Sequence, residues 1–294
     1  MVSGMNGQLG TELQEIATEF PGFEFLFFDR VQLDVTRLEM LEDAFSSFKP
    51  NYFINASAFT AADQCEIEKE KCFEVNGKAA ENIAKICSRY GTRFIHISSD
   101  YVFGGESDVP YRETDATHPL NNYGLAKVEG EKMAFAAHPD TVVLRISWVY
   151  SEYGKNFVKT MLRLMKEKDS FGVVNDRIGS PTYARDVAEL ILHIIENDYS
   201  GKIPFQPGIY HYSNAGIISW YDFAVAIRDM SGSNCTIHPI SSEDYIAAAD
   251  RPAYSALDNG KIQQVYGVKL KNWRDRLKDC LTHIETQNSD ILSF

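Results

Sequence analysis

No stretch of this chain approaches the ~20 consecutive apolar residues of a membrane-spanning helix, and no secretory leader is expected. It has no Lys/Arg-rich run either. With a formal net charge of −12, that excludes a nucleic-acid partner bound through its phosphates, while local charge leaves small acidic substrates open. Cysteine is sparse: Cys65, Cys72, Cys87, Cys235 and Cys280 make an odd number without a Cys-x-x-Cys pair. That pattern reads as reduced thiols in a cytosol and sets aside a sulfur-held metal. Internal repeats and low-complexity tracts are missing as well. The 44% hydrophobic and 24% charged composition, over 294 residues, is that of a globular protein with one large core or a core plus a smaller lobe. A cytoplasmic location without membrane contact is expected.

The densest chemistry lies in Asn121-Asn122-Tyr123-Gly124-Leu125-Ala126-Lys127. Good helix formers surround it, so Tyr123 and Lys127, four apart, share one helical face. An ammonium beside a phenol favours phenolate relative to its usual pKa of about 10, which suits proton exchange with a carbonyl or alcohol. The plain alternative is a tyrosine and a lysine on a solvated helix. The residues upstream bear on that choice.

Glycines at 4, 7 and 10 form Gly-x-x-Gly-x-x-Gly ahead of a helix-period run through Leu13, Ile16, Ala17 and Phe20. Such a turn lets backbone approach a pyrophosphate and offer it the free N–H groups of a helix start; three glycines in an N-terminal loop are the alternative. Only Met1 to Ser3 precede Gly4, so the first strand is expected to be short or trimmed. Phe23 to Asp29 reads as a buried strand, and Asp29, about 20 residues past the turn, is spaced to accept the adenosine ribose hydroxyls. Asp34 and Val35 stand where such folds touch adenine. A helix through Leu38, Leu41, Ala44, Phe45 and Phe48 leads to the strand Tyr52 to Ala56 and then to Ser57-Ala58-Phe59-Thr60, small or polar residues at a strand's carboxyl end. A helix from Ala79 to Tyr90 leads to the strand from Arg93, which ends at Ser98-Ser99-Asp100. The two serines can bind a substrate carbonyl or cap the strand, and His96 between Ile95 and Ile97 reads as packed structure. This alternation implies parallel βαβ units.

Taken together, Gly4-x-x-Gly7-x-x-Gly10, Ser98-Ser99-Asp100-Tyr101-Val102-Phe103 and Tyr123-x-x-x-Lys127 resemble the extended short-chain dehydrogenase/reductase superfamily. Within it, the chain is most similar to the dTDP-4-dehydrorhamnose reductase family. Further matching runs are Asn6 to Gly10, Glu113 to Asn121, Arg145 to Tyr150, Gly179 to Thr182, Ser219 to Phe223 and Arg251-Pro252. The resemblance implies a doubly wound parallel α/β sheet of Rossmann type, over residues 1–150, with a smaller C-terminal substrate-binding lobe over 151–294 that returns some segments to the sheet. It implies Ser99, Tyr123 and Lys127 as catalytic residues. Cofactor contacts fall on Gly4, Gly7, Gln8, Leu9, Asp29, Asp34, Val35, Ala58, Phe59, Thr60, Tyr123 and Lys127, and substrate contacts on Ser99, Asp100 and Trp148. Many members carry threonine at the position of Ser99, but the hydroxyl is kept. The implied activity is reduction of the C4 ketone of dTDP-4-dehydro-L-rhamnose by NADPH or NADH, the last step of dTDP-rhamnose synthesis, with no metal. The expected partners are the dTDP-sugar and, as one option, a second copy in a homodimer. Two alternatives stay open: a non-catalytic dinucleotide-binding regulatory subunit of the methionine adenosyltransferase type, and another sugar-nucleotide reductase or epimerase. Beyond residue 150, Arg177, Arg251 and Lys261 are either diphosphate ligands or solvated charges.

Overall fold

The computed structural model describes residues 1–291. Its organising layer is a parallel sheet built from β1 (Val2–Ser3), β2 (Phe27–Phe28), β3 (Tyr52–Asn55), β4 (Arg93–Ser99), β5 (Thr141–Ile146) and the strand Gly208–Tyr212. Across the sheet the order is Gly208–Tyr212, β5, β4, β3, β1, β2. Because β1 lies between β2 and β3, the winding reverses beside it. A crevice therefore opens at the carboxyl ends of β1 and β3, where open α/β sheets hold ligands.

Helices cover both faces. On one, α1 (Gln8–Ala17) buries Leu13 and Ile16 against the helix Ala184–Tyr199, and the helix Gly260–Tyr266 packs on the strand Gly208–Tyr212. On the other, α2 (Leu38–Phe48) and a longer run lie over Phe53 and Phe94. That run starts with α3 (Ala62–Ile67) and α4 (Lys69–Phe73), passes through a π-helical turn at Glu74–Lys78, and continues as α5 (Ala79–Tyr90). Each large apolar side chain so buried contributes roughly 1.5–3 kcal/mol. The last helix on this face, α6 (Asn122–Ala137), starts at an Asn121 cap whose side chain accepts the Gly124 N–H at 2.8 Å.

The first strand is short: it pairs through Val2 and Ser3, and the Met1 ammonium donates to the Tyr52 carbonyl at 2.8 Å. Only Phe27 and Phe28 of the expected strand Phe23 to Asp29 pair with β1. The alternation upstream is still used, since Phe23, Phe25 and Phe27 pack on one core while Leu26 and Phe28 pack on the other. The C-terminal half has its own core, formed by the helices Phe157–Glu167, Trp220–Met230 and Trp273–Ile291 and the parallel pair Ser170–Val174 and Thr236–Ile240. No helix among the described residues is long and apolar enough to cross a membrane.

Candidate active site

At the switch point of the sheet, Gly4 turns the chain with φ +82°, and a Cβ on it would stand 2.7 Å from the Ala56 carbonyl carbon and the Ser57 nitrogen. A Cβ on Gly10 would stand 2.2 Å from the Gly4 oxygen. Only glycine closes this turn. Gly7, the residue that caps α1, makes no side-chain cap bond, so the first N–H groups of the helix are left for a ligand.

The turn forms one wall of a cleft of about 260 Å³, with Asp29, Arg30, Leu33, Asp34, Val35 and Thr36 at one end and Ala56 to Phe59, Lys71 and Val75 opposite. Asp29 Oδ1 accepts the N–H groups of Val31 and Gln32, at 2.8 and 2.9 Å, which fixes the loop after β2. Asp34 accepts the Thr36 hydroxyl at 2.7 Å and faces Arg30 Nε at 3.6 Å. Those bonds and the guanidinium hold its carboxyl below the usual range despite partial burial. An uncharged, glycine-lined turn with free N–H groups, followed by a carboxylate at the next strand end, fits a dinucleotide. Of the residues expected to hold one, Gly4, Gly7, Asp29, Asp34, Val35, Ala58 and Phe59 line this cleft. Gln8, Leu9, Thr60, Tyr123 and Lys127 do not line it; Gln8 Oε1 instead accepts from Asn156 Nδ2 at 2.9 Å, and Leu9 is buried in the core.

One strand over, β4 ends at Ser99. The Ser99 hydroxyl donates to Asp100 Oδ1 at 3.0 Å and accepts the Tyr101 N–H at 3.2 Å. Tyr123, in the first turn of α6, packs with Phe59 on Cys65, Cys72 and Ala126, which ties it to the wall of the cleft. Its ring meets Tyr101 edge-on, with centroids 5.8 Å apart. Lys127, one turn further and buried, donates to the Ile97 carbonyl at 3.0 Å, and its Nζ lies 6.0 Å from the Tyr123 ring centroid. Another turn on, Glu131 takes both arms of Arg145 at 2.9 and 2.6 Å and accepts the Ser98 hydroxyl at 2.5 Å. Lys127 and Glu131 thus pin α6 to the sheet, and Ser98 serves that anchor.

The electrostatics differ from the expectation that Lys127 favours phenolate. Burial is the largest influence on Tyr123 and raises its pKa above that of a free tyrosine; the Ser99 hydroxyl opposes the rise, and Asp100 reinforces it. Burial also brings Lys127 down to about 8, against the pull of Glu131. Asp100 is driven up to about 7 by burial; the neighbouring Ser255 and Ser99 hydroxyls oppose this, yet Oδ2 completes no hydrogen bond. At neutral pH, therefore, Tyr123 is a protonated phenol and a weaker acid than a free tyrosine.

Trp148 follows β5 with φ +45°, a left-handed backbone that costs a tryptophan of order 1–3 kcal/mol. Its ring lies against Gly179 and edge-on to Trp220, at 6.0 Å between centroids. Trp220, Arg177 and Arg251 line a smaller cavity of about 90 Å³. Arg251 is already held by Asp63, through Nη2 at 2.8 Å. Lys261 stands elsewhere: it donates to the Ile209 carbonyl at 2.6 Å beside the Tyr210 ring, toward the amino edge of the sheet, so it is no ligand of the cleft. His96 is packed structure, as its strand position indicated, with Nδ1 against Asn55 Nδ2 at 3.2 Å.

Sequence reading passed over Lys71, Val75 and Asn76. Buried Asn76 clamps Phe59, accepting its N–H and donating to its carbonyl, each at 3.0 Å, from within the π-helical turn. Their own stretch of sequence carries no signal for this, because nothing in it places α4 over the cleft.

Known proteins share this arrangement over nearly the full chain. A dTDP-4-dehydrorhamnose reductase from Aggregatibacter actinomycetemcomitans is 40% identical, with 97% of this chain and 99% of that protein covered. The spore coat polysaccharide biosynthesis protein SpsK of Bacillus subtilis is 38% identical, with 96% of each covered. Among solved structures, a dTDP-4-dehydrorhamnose reductase from Bacillus anthracis in complex with NADP superposes with a TM-score of 0.91 at 34% identity, over 96% of this chain and 98% of that one. The model of the RmlD substrate binding domain family matches residues 1–286, and with the glycine turn, the parallel sheet and the Tyr123–Lys127 helix in place, the chain belongs to that family.

Proposed function

We propose that this protein is an oxidoreductase that reduces the C4 ketone of dTDP-4-dehydro-L-rhamnose to dTDP-L-rhamnose with NADPH or NADH. The observation that carries the reading is the grouping of Ser99, at the end of β4, with Tyr123 and Lys127 of α6 beside a glycine-walled cleft, in a member of this family. The reduced nicotinamide, when bound, supplies the hydride. Tyr123, kept as a phenol by burial, gives its proton to the C4 oxygen as that oxygen gains charge. Lys127, with a pKa of about 8, is mostly protonated at neutral pH and limits the cost of the phenolate left behind. The Ser99 hydroxyl, turned from Asp100 toward the substrate, donates to the same oxygen. Asp100 receives the Ser99 hydroxyl when substrate is absent and meets a sugar hydroxyl when it is present, and Trp148 bounds the sugar. The setting is the cytoplasm, in keeping with five buried free thiols.

The test mixes purified protein, NADPH or NADH, and the keto-sugar nucleotide, and follows reduced-nicotinamide absorbance together with the sugar product. Stoichiometric loss of absorbance with dTDP-L-rhamnose formed is the expected result. Dinucleotide binding with no turnover would instead support the regulatory-subunit reading, and sugar conversion without net consumption of NAD(P)H would support an epimerase.

A further inference from the structure

The helical run from Lys69 descends alongside the sheet, since it ends at Tyr90 and feeds the start of β4 at Arg93. Its first turns therefore lie at the carboxyl edge, level with the glycine turn. Lys71 and Val75 both line the cleft across from Gly4 and Gly7, with Lys71 nearer the rim. The Lys71 ammonium stands 4.7 Å from the Phe59 ring centroid and 2.7 Å from Glu68 Oε2. These two holds differ in kind. The Phe59 backbone is fixed by the paired bonds to buried Asn76, and its ring packs against the cluster of Cys65, Cys72 and Ala126. Glu68 is 39% exposed and Lys71 42% exposed, and an ion pair that open to water is weak and readily exchanged.

The charges on the two walls are unequal. At the adenosine end, Arg30 faces Asp34 at 3.6 Å and stands beside Asp29, so its cation has carboxylates close by. The glycine turn offers N–H groups but no charge, and the first turn of α1 carries no ionic side chain. Among the residues lining the cleft, the cation on the opposite wall is Lys71. A diphosphate lying between the turn and Ala56 to Phe59 presents two negative charges to that wall.

We propose that Lys71 is a cofactor-binding residue that leaves Glu68, keeps its contact with the Phe59 ring, and closes on the diphosphate of the dinucleotide. The inference rests on the dinucleotide reading of the cleft. It assigns Lys71 to the part that NADH, NADPH and ADP share, and leaves the 2′-phosphate to Arg30.

Binding of ADP, NADH and NADPH to the full chain, by titration calorimetry at low and moderate salt, tests this without turnover. Lys71→Met should weaken all three by a similar factor, on the order of tenfold for a lost charge-assisted contact to phosphate, and should flatten the salt dependence. Lys71→Arg should restore most of the affinity, and Glu68→Gln, which removes the competing carboxylate, should tighten ADP. The exposed positions leave folding intact, checked by an unchanged melting temperature. Wild-type affinity for ADP in Lys71→Met overturns the proposal, and so does a loss confined to NADPH, which would move Lys71 to the 2′-phosphate. Failure of the wild-type protein to bind any of the three would overturn the dinucleotide reading itself, a result distinct from either.

Discussion

At Tyr123 two influences meet: burial, which keeps the proton on, and the hydroxyl of Ser99, which eases it off. A phenol placed this way is a weaker acid than free tyrosine but keeps its proton at neutral pH, and the proposed reductive direction needs that proton present. Tyr123→Phe keeps the ring's packing on Cys65, Cys72 and Ala126 and removes only the donor. Turnover with the keto-sugar is expected to fall by about 10²–10⁴-fold while NADPH still binds, and near-normal turnover would remove Tyr123 from the mechanism. Cofactor choice is also expected to turn on single residues. Asp29 repels a 2′-phosphate, whereas Arg30 is 71% exposed and held only at 3.6 Å by Asp34, free to meet one. Both cofactors are therefore expected to work, with a preference of less than about a hundredfold, or ~3 kcal/mol. Arg30→Ala should shift kcat/KM toward NADH, and an unchanged ratio would leave Asp29 alone in control. Tyr123 and Asp29 were legible in the sequence because each sits in a local motif, Tyr-x-x-x-Lys or an acidic strand end past spaced glycines. Lys71 was not, because nothing in its own neighbourhood in sequence says that α4 overhangs the cleft.

At the scale of elements, α6 is set by contacts on three sides. Lys127 and Glu131 bind it to the sheet, Asn121 caps it, and Gly130 lets it approach the π-helical turn so closely that a Cβ there would stand 2.3 Å from the Asn76 oxygen. Since Asn76 also clamps Phe59, α6 and one wall of the cleft share a single support. Gly130→Ala is a change that favours an isolated helix by roughly 1 kcal/mol, yet here it should destabilise the protein, because backbone must move. We expect a lower melting temperature, with losses in both kcat and dinucleotide affinity as α6 and Phe59 shift together. A higher melting temperature would mean that the two helices separate freely. Helix and strand periods were readable from apolar spacing, as with Leu13 and Ile16 of α1 or Ile95 and Ile97 of β4. The π-helical turn was not, because it answers to Asn76 and Phe59, which the sequence does not pair. The strand expected from Phe23 shrank to Phe27 and Phe28 because β1 offers two residues to pair with.

For the whole molecule, a buried ionic cluster joins α1 to the C-terminal half. The Ser151 hydroxyl donates to Glu12 Oε1 at 2.6 Å, Glu152 accepts the Tyr183 hydroxyl at 2.8 Å, and His283 Nδ1 stands 3.1 Å from Glu152, while Glu12 Oε2 has no partner. Burial raises the Glu12 pKa to about 8, with the Glu152 carboxylate adding to the rise and Ser151 and Arg185 opposing it. The folded state therefore holds a proton that the unfolded chain, with a carboxyl near 4.5, releases. Between about pH 4.5 and 8 the native state binds more protons than the unfolded one, so this group's contribution to stability is full at the acid end and is lost as pH rises. The Met1 ammonium, lowered to about 6 from 8.0 by burial, acts oppositely between those two values. A bare pH profile would mix these with the shifted Asp100 and Lys127. Glu12→Gln separates them, since an amide mimics the protonated carboxyl, keeps the Ser151 bond, and offers its N–H₂ toward Glu152. Compared with wild type in thermal melts, the variant should match at pH 5 and be more stable at pH 8, by on the order of 1–3 kcal/mol, or several degrees. Equal melting temperatures at both pH values would mean that Glu12 is ionised throughout, balanced by Arg185, and that the junction between α1 and the C-terminal half carries no titrating proton.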